Sequence, residues 1–249
     1  MRYLKLIILS FLGIVSILLI LVLSQSVSPV QIDDQIAVHV FPDTLDVSSL
    51  DVDSLRNIVG SNKGLPKGFE LAALVAYSSY PELKDVRIDM ELTLSGAPME
   101  SSFDIMTLFG SCENRIYKIY LNDGVDTPFD EILLRALPFD AQVGILAHEL
   151  GHVVYYHKLN TLQIGKWGVK YLLDGEFRAI HERTTDLMPV YHGLGSQIWQ
   201  YAWFVRYDPS CAPLYKSFGS FMDQYYMTDV ELMESITTHR LYETFKRDF

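Results

Sequence analysis

Ala147-His148-Glu149-Leu150-Gly151-His152-Val153-Val154-Tyr155-Tyr156 is the stretch that decides how this chain is read. It sets His-Glu-x-x-His inside an apolar run. Residues four apart share a helix face, so on a helix His148 and His152 project side by side and can hold one metal ion between them. Glu149 sits about 100° further round the helix, within reach of a water on that metal. Zn²⁺ suits this donor set: two imidazoles, a third protein ligand, an open position for water, and a carboxylate to take the water's proton. Composition alone puts the five-residue pattern in about one chain of this size in a hundred, so its surroundings matter.

Those surroundings are helical. Asp140, after Pro138, predicts an N-cap for a helix starting near Ala141. Val143, Leu146, Ala147, Leu150, Val153 and Val154 recur at helical spacing as an apolar stripe. Gly151 reads as room left beside the metal. A helix of this kind is buried, and buried histidines need partners.

Two histidines leave the set one ligand short. His157 lies five residues past His152, roughly 140° round the helix, and faces elsewhere. The longer pattern with a glycine and a third histidine at fixed spacing is absent. Glu182-Arg183-Thr184-Thr185-Asp186 supplies a better candidate on a later helix, with Glu182 and Asp186 four apart on one face. Glu182 is expected as the third metal ligand, and Asp186 as the acceptor of a liganding histidine's free ring N–H. A solvated acid pair on a surface helix is the alternative, and Ile180 and Leu187 alongside argue against it.

His148-Glu149-x-x-His152 followed by Glu182-x-x-x-Asp186 resembles the gluzincin metallopeptidases, over roughly residues 65–195. The resemblance implies an α+β, zincin-like fold: helix, small β-sheet, His-Glu-x-x-His helix, glutamate helix, then C-terminal helices. It implies a peptide or protein substrate and Glu149 as general base. In such enzymes an edge strand pairs with an extended peptide, and Arg115–Leu121 is the expected edge. They also hold the oxyanion with a Tyr or His, here expected to be Tyr191 and His192. His181, on the other face from its neighbour Glu182, reads as a residue behind the ligands or at the surface.

Further out, 249 residues suffice for one good-sized domain, and a net charge of −11 without a Lys/Arg-rich run excludes a nucleic-acid partner. Leu6 to Leu23 carries no charge and is interrupted only by Ser10, Gly13 and Ser16. It reads as an uncleaved transmembrane anchor (residues 1–25), with a cleaved signal and secretion as the alternative. Arg2 and Lys5 ahead of it keep the N-terminus cytoplasmic and place the rest outside. An acidic lead or stalk spans 26–64 and the metallopeptidase domain 65–249. Cys112 and Cys211 form either one disulfide or two separate thiols. Helices are expected over 69–80, 131–137, 162–173 (interrupted by Gly165 and Gly168), from Glu176 to a break at Pro189, over 196–207 and over 229–246. Strands are expected over 86–94, 103–109 and 115–121. Two competing functions stay open: a zinc-stabilised, non-catalytic ectodomain that binds a partner, and a zinc hydrolase of another amide, for instance in cell-wall peptide.

Overall fold

The computed structural model describes residues 15–17, 19–27 and 39–242. Strict alternation makes two central strands: β2 (Arg87–Thr93) buries Ile88 and Met90, and β4 (Ile116–Asn122) buries Tyr117, Ile119 and Leu121. They pair in parallel, Ile88 opposite Tyr117 and Met90 opposite Ile119. The short β1 (Lys63–Gly64) adds in parallel to β2, and β3 (Met99–Phe103) adds antiparallel to β4, giving the order β1-β2-β4-β3.

That order moves the edge. The expected edge, Arg115–Leu121, is an interior strand, and β3 is the edge on that side. Interior strands show clear alternation because both neighbours and one face are protein. Met99-Glu100-Ser101-Ser102-Phe103 is too polar to announce itself. The strand expected over 103–109 is instead a 3₁₀ turn, Ile105–Thr107, where the Asp104 carboxylate accepts the Met106 N–H.

Among the described residues from 39 onward there are eight α-helices: α1 (Val52–Val59), α2 (Glu70–Ser78), α3 (Phe139–Lys158), α4 (Thr161–Leu173), α5 (Gly175–Tyr191), α6 (Gly195–Tyr207), α7 (Ala212–Tyr225) and α8 (Asp229–Thr238). α3 is the axle, touching α2, α5, α6 and β3. The main core runs from Ile88, Tyr117 and Ile119 of the sheet through α2 to Leu146, Leu150 and Val153 of α3. Leu45, Leu55 and Val59 of the acidic lead are buried in that same core, so this part of the lead is packed rather than a bare stalk.

Several boundaries differ from expectation for local reasons. Pro138, not Asp140, caps α3. The buried Asp140 carboxylate instead accepts the Leu45 N–H at 3.1 Å and the Gln197 side-chain amide at 3.0 Å, tying the lead and α6 to α3. α4 runs unbroken through Gly165 and Gly168 behind an Asn160/Gln163 capping box. Pro189 stays within the last turn of α5. The chain turns at Gly193, whose φ of 80° and approach to the His39 carbonyl leave no space for a Cβ. The 131–137 segment is two 3₁₀ turns, Asp130–Ile132 and Leu134–Ala136. The last expected helix ends at Thr238, a 3₁₀ turn follows at Arg240–Tyr242, and its expected end falls outside the described residues. Cys112 is exposed, Cys211 is buried, and both are free, so no disulfide joins them. Among the described residues no helix is long and apolar enough to cross a membrane. The expected anchor lies largely outside the described residues, which keep helical turns at 15–17 and 19–24.

Candidate metal centre

Two adjacent turns of α3 present His148 and His152, and α5 brings Glu182 against them. All three side chains are buried, and their ligand atoms lie within 4.8 Å of one another. Glu182 Oε2 is 3.5 Å from His148 Nε2 and 3.4 Å from His152 Nε2. Donors held about 2.0–2.1 Å from a tetrahedral Zn²⁺ stand about 3.3–3.4 Å apart, so the spacing fits such an ion with little movement. His157 takes no part; its Nδ1 lies 3.3 Å from the Tyr117 hydroxyl.

The other ring nitrogens are held from behind. His148 Nδ1–H donates to Asp186 Oδ1 at 2.8 Å, and Asp186 Oδ2 accepts the Met227 N–H at 2.7 Å. The Asp186 contact selects the tautomer that leaves His148 Nε2 free for a metal. His152 Nδ1 lies 3.1 Å from His181 Nε2, so His181 is a buried partner of His152 and not a surface residue. Rings of Tyr155, Trp167, Tyr171 and Phe177 enclose His181. The Tyr171 hydroxyl donates to Glu182 Oε1, leaving Oε2 toward the histidines.

Charge follows geometry. Burial drives the His148 pKa down, but the carboxylates of Asp186 and Glu182 outweigh it and hold it well above the usual imidazole value. Burial likewise drives Glu182 up, and the imidazoles of His152 and His148 outweigh it and hold Glu182 well below the usual carboxylate value. His181, desolvated and beside His152, is pushed down to about 3. The cluster thus sets a protonated His148 against an anionic Glu182, with a neutral His181 behind His152, and a metal at His148 Nε2 would take the place of that proton.

Glu149 is buried one residue along α3, and Oε2 accepts a hydrogen bond from the Ser101 hydroxyl of β3 at 2.6 Å. Beside it opens a cavity of about 420 Å³, lined by His148, Glu149, Asp186 and the Gly96–Met99 segment. Between α6, α7 and α8 the lining is apolar, an end formed by Ile198, Val205, Leu214, Phe218 and Leu232. Tyr201 and Tyr226 also line it, with the Tyr226 ring 6.0 Å from the His148 ring. Burial pushes the Tyr226 hydroxyl well above its ordinary pKa, with the Glu182 carboxylate adding to it, so the phenol keeps its proton as a donor.

The two expected oxyanion residues are not in this cavity. Tyr191 stacks edge-on against His239, with ring centroids 4.4 Å apart. His192 bonds Glu82 at 2.8 Å and stacks on Tyr80. Because Pro189 leaves α5 intact, the helical register carries both residues away from Glu182. Ser101, Tyr171 and Tyr226 escaped the sequence reading. No motif separates the two tyrosines from the other 13 among the chain's 15; only the fold brings them to the cluster.

No protein-family model, curated protein or solved structure matches the chain.

Proposed function

We propose that the chain is a zinc-dependent peptidase, similar to small single-domain gluzincins. The observation that carries this reading is a buried Glu149 carboxylate at the cavity wall, next to two imidazoles and a carboxylate spaced for one metal ion. A purely structural zinc site fills its fourth position with protein and has no use for such a base. His148, His152 and Glu182 would hold the zinc ion, which would lower the pKa of a coordinated water toward neutrality and polarise a carbonyl. Glu149 takes the proton of the attacking water and returns it to the leaving amine. Tyr226 donates its O–H to the oxygen that gains charge, in place of Tyr191 and His192. The free edge of β3 pairs with an extended peptide, and the apolar end of the cavity receives a large apolar side chain next to the scissile bond. We place this domain outside the cytoplasm on an N-terminal anchor, on the strength of the Leu6–Leu23 run.

The test is zinc analysis of the purified protein followed by digestion of a broad peptide library, with Glu149→Ala as control. Cleavage by the wild type, enriched for large apolar residues beside the cut and absent from the zinc-loaded control, is the expected result. A wild type that holds zinc and cleaves nothing favours the non-catalytic ectodomain.

A further inference from the structure

Ser101 turns its main chain to the edge of the sheet and its side chain to Glu149. β3 pairs with β4 so that Ser101 stands opposite Ile119. Asp104 N–H donates to the Ile116 carbonyl at 2.8 Å and Asn122 N–H to the Pro98 carbonyl at 3.0 Å. In an antiparallel ladder alternate residues bond the same neighbour. Residues 98, 100, 102 and 104 therefore direct their main-chain groups to β4, and 99, 101 and 103 direct theirs away, to the open edge. The side chains of 99, 101 and 103 share one face of the strand, the face against α3. Met99 and Phe103 pack on the main core, with the Phe103 ring 5.9 Å from that of Tyr156. Between them the Ser101 hydroxyl is 2.6 Å from Glu149 Oε2 and 2.9 Å from the Glu149 carbonyl.

We propose that Ser101 is a positioning residue that links substrate pairing to the general base; this rests on the peptidase reading above. Its N–H and C=O are the edge groups that an extended peptide would bond, and its hydroxyl holds Glu149 Oε2. A glutamate has three rotatable side-chain bonds, and holding one carboxylate oxygen removes most of that freedom. Oε1 is left to take the proton, while the serine keeps its own. A peptide registered on Ser101 thereby arrives at a fixed offset from Glu149, because strand and carboxylate are tied through one residue.

The experiment compares wild type, Ser101→Ala, Ser101→Thr and Ser101→Cys on a peptide the wild type cleaves, with zinc content and circular dichroism measured on each. The main-chain groups survive in all variants, so KM is expected to stay within about threefold. Loss of the donor is expected to lower kcat by about 10–100-fold in Ser101→Ala, the range typical of an outer partner of a catalytic group, with zinc retained. Ser101→Thr keeps the hydroxyl and is expected to recover most of kcat. Ser101→Cys, close in shape but a weak donor, is expected to behave like the alanine variant and stands in for it if that one fails to fold. An unchanged kcat in Ser101→Ala, a loss confined to KM, or a threonine variant as impaired as the alanine overturns the coupling and leaves the peptidase reading standing. A zinc-loaded wild type that cleaves nothing overturns both.

Discussion

His148 spends one ring nitrogen on Asp186 and turns the other to Glu182, and that division of labour orders the effects of substitution. Glu149→Ala removes the proposed base and none of the candidate ligands, so zinc is expected to stay bound while hydrolysis is lost. Asp186→Ala frees the His148 ring to rotate or change tautomer, with an expected loss of about 10–100-fold in metal affinity or activity. Glu182→Ala removes a ligand and its charge and is expected to hold zinc worst of the three. Metal content after dialysis against a graded chelator measures this order; a Glu182 variant with full zinc removes it from the ligand set. Tyr226→Phe is expected to keep zinc and to lower kcat by about 10²–10³-fold, as for removal of one oxyanion donor. An unaffected Tyr226→Phe beside an impaired Tyr201→Phe would move the role to Tyr201. At this scale the candidate ligands were legible because His148 and His152, and likewise Glu182 and Asp186, sit four apart on one helix; the meeting of the two helices comes from the fold alone. Tyr226 and Ser101 reach the cluster through contacts between remote segments, which no local pattern encodes.

Among the elements, α3 is held most tightly where α6 crosses it at Gly144. A Cβ there would stand 2.3 Å from the Gln197 carbonyl oxygen and 2.6 Å from the Ile198 nitrogen, both main chain. Main chain cannot swing aside as a side-chain tip can, so Gly144→Ala must push the two helices apart. Alanine gains about 1 kcal/mol of helix propensity over glycine. Overpacking of this kind costs about 1–3 kcal/mol or more, and a net destabilisation is expected in the urea midpoint. Gly168→Ala on α4 is the control: nothing lies within 4 Å of its added Cβ, and a gain of up to about 1 kcal/mol is expected. Equal shifts for both would mean that the crossing is not tight. Gly151 follows the same logic on the other side of α3. Its missing Cβ admits Met188 and Thr185 of α5 at 3.0–3.1 Å, so the glycine serves helix packing rather than space at the metal. The sequence displayed β2, β4 and α3 plainly because their faces are one-sided or wholly apolar. It hid α1 in an acidic lead whose apolar residues are few, and passed over α7 among scattered aromatics.

For the whole molecule, two segments far apart in sequence meet at the proposed metal. Outside the domain, a fusion of residues 1–30 to a reporter is expected in the membrane fraction, resistant to carbonate, and release as soluble mature protein would favour a cleaved signal. Within the domain, His148 and His152 on α3 are joined to Glu182 on α5, and Asp186 carries the link to the α7–α8 connection through the Met227 N–H. The main core joins the sheet, α2 and α3 through apolar side chains, so the protein is expected to keep its secondary structure when zinc is stripped. What zinc would add is stability by mass action, since an ion bound by the folded state alone contributes about 2.7 kcal/mol at one hundred times its Kd. For a chain of this size each kcal/mol moves Tm by about 2–4 °C, so a chelator is expected to lower Tm by about 5–10 °C. Glu149→Ala keeps every ligand and is expected to show the same drop, whereas Glu182→Ala, already short of a ligand, is expected to show little. A wild-type Tm indifferent to chelator at saturating zinc would mean that the ion does not tie α3 to α5, however well the three donors are spaced.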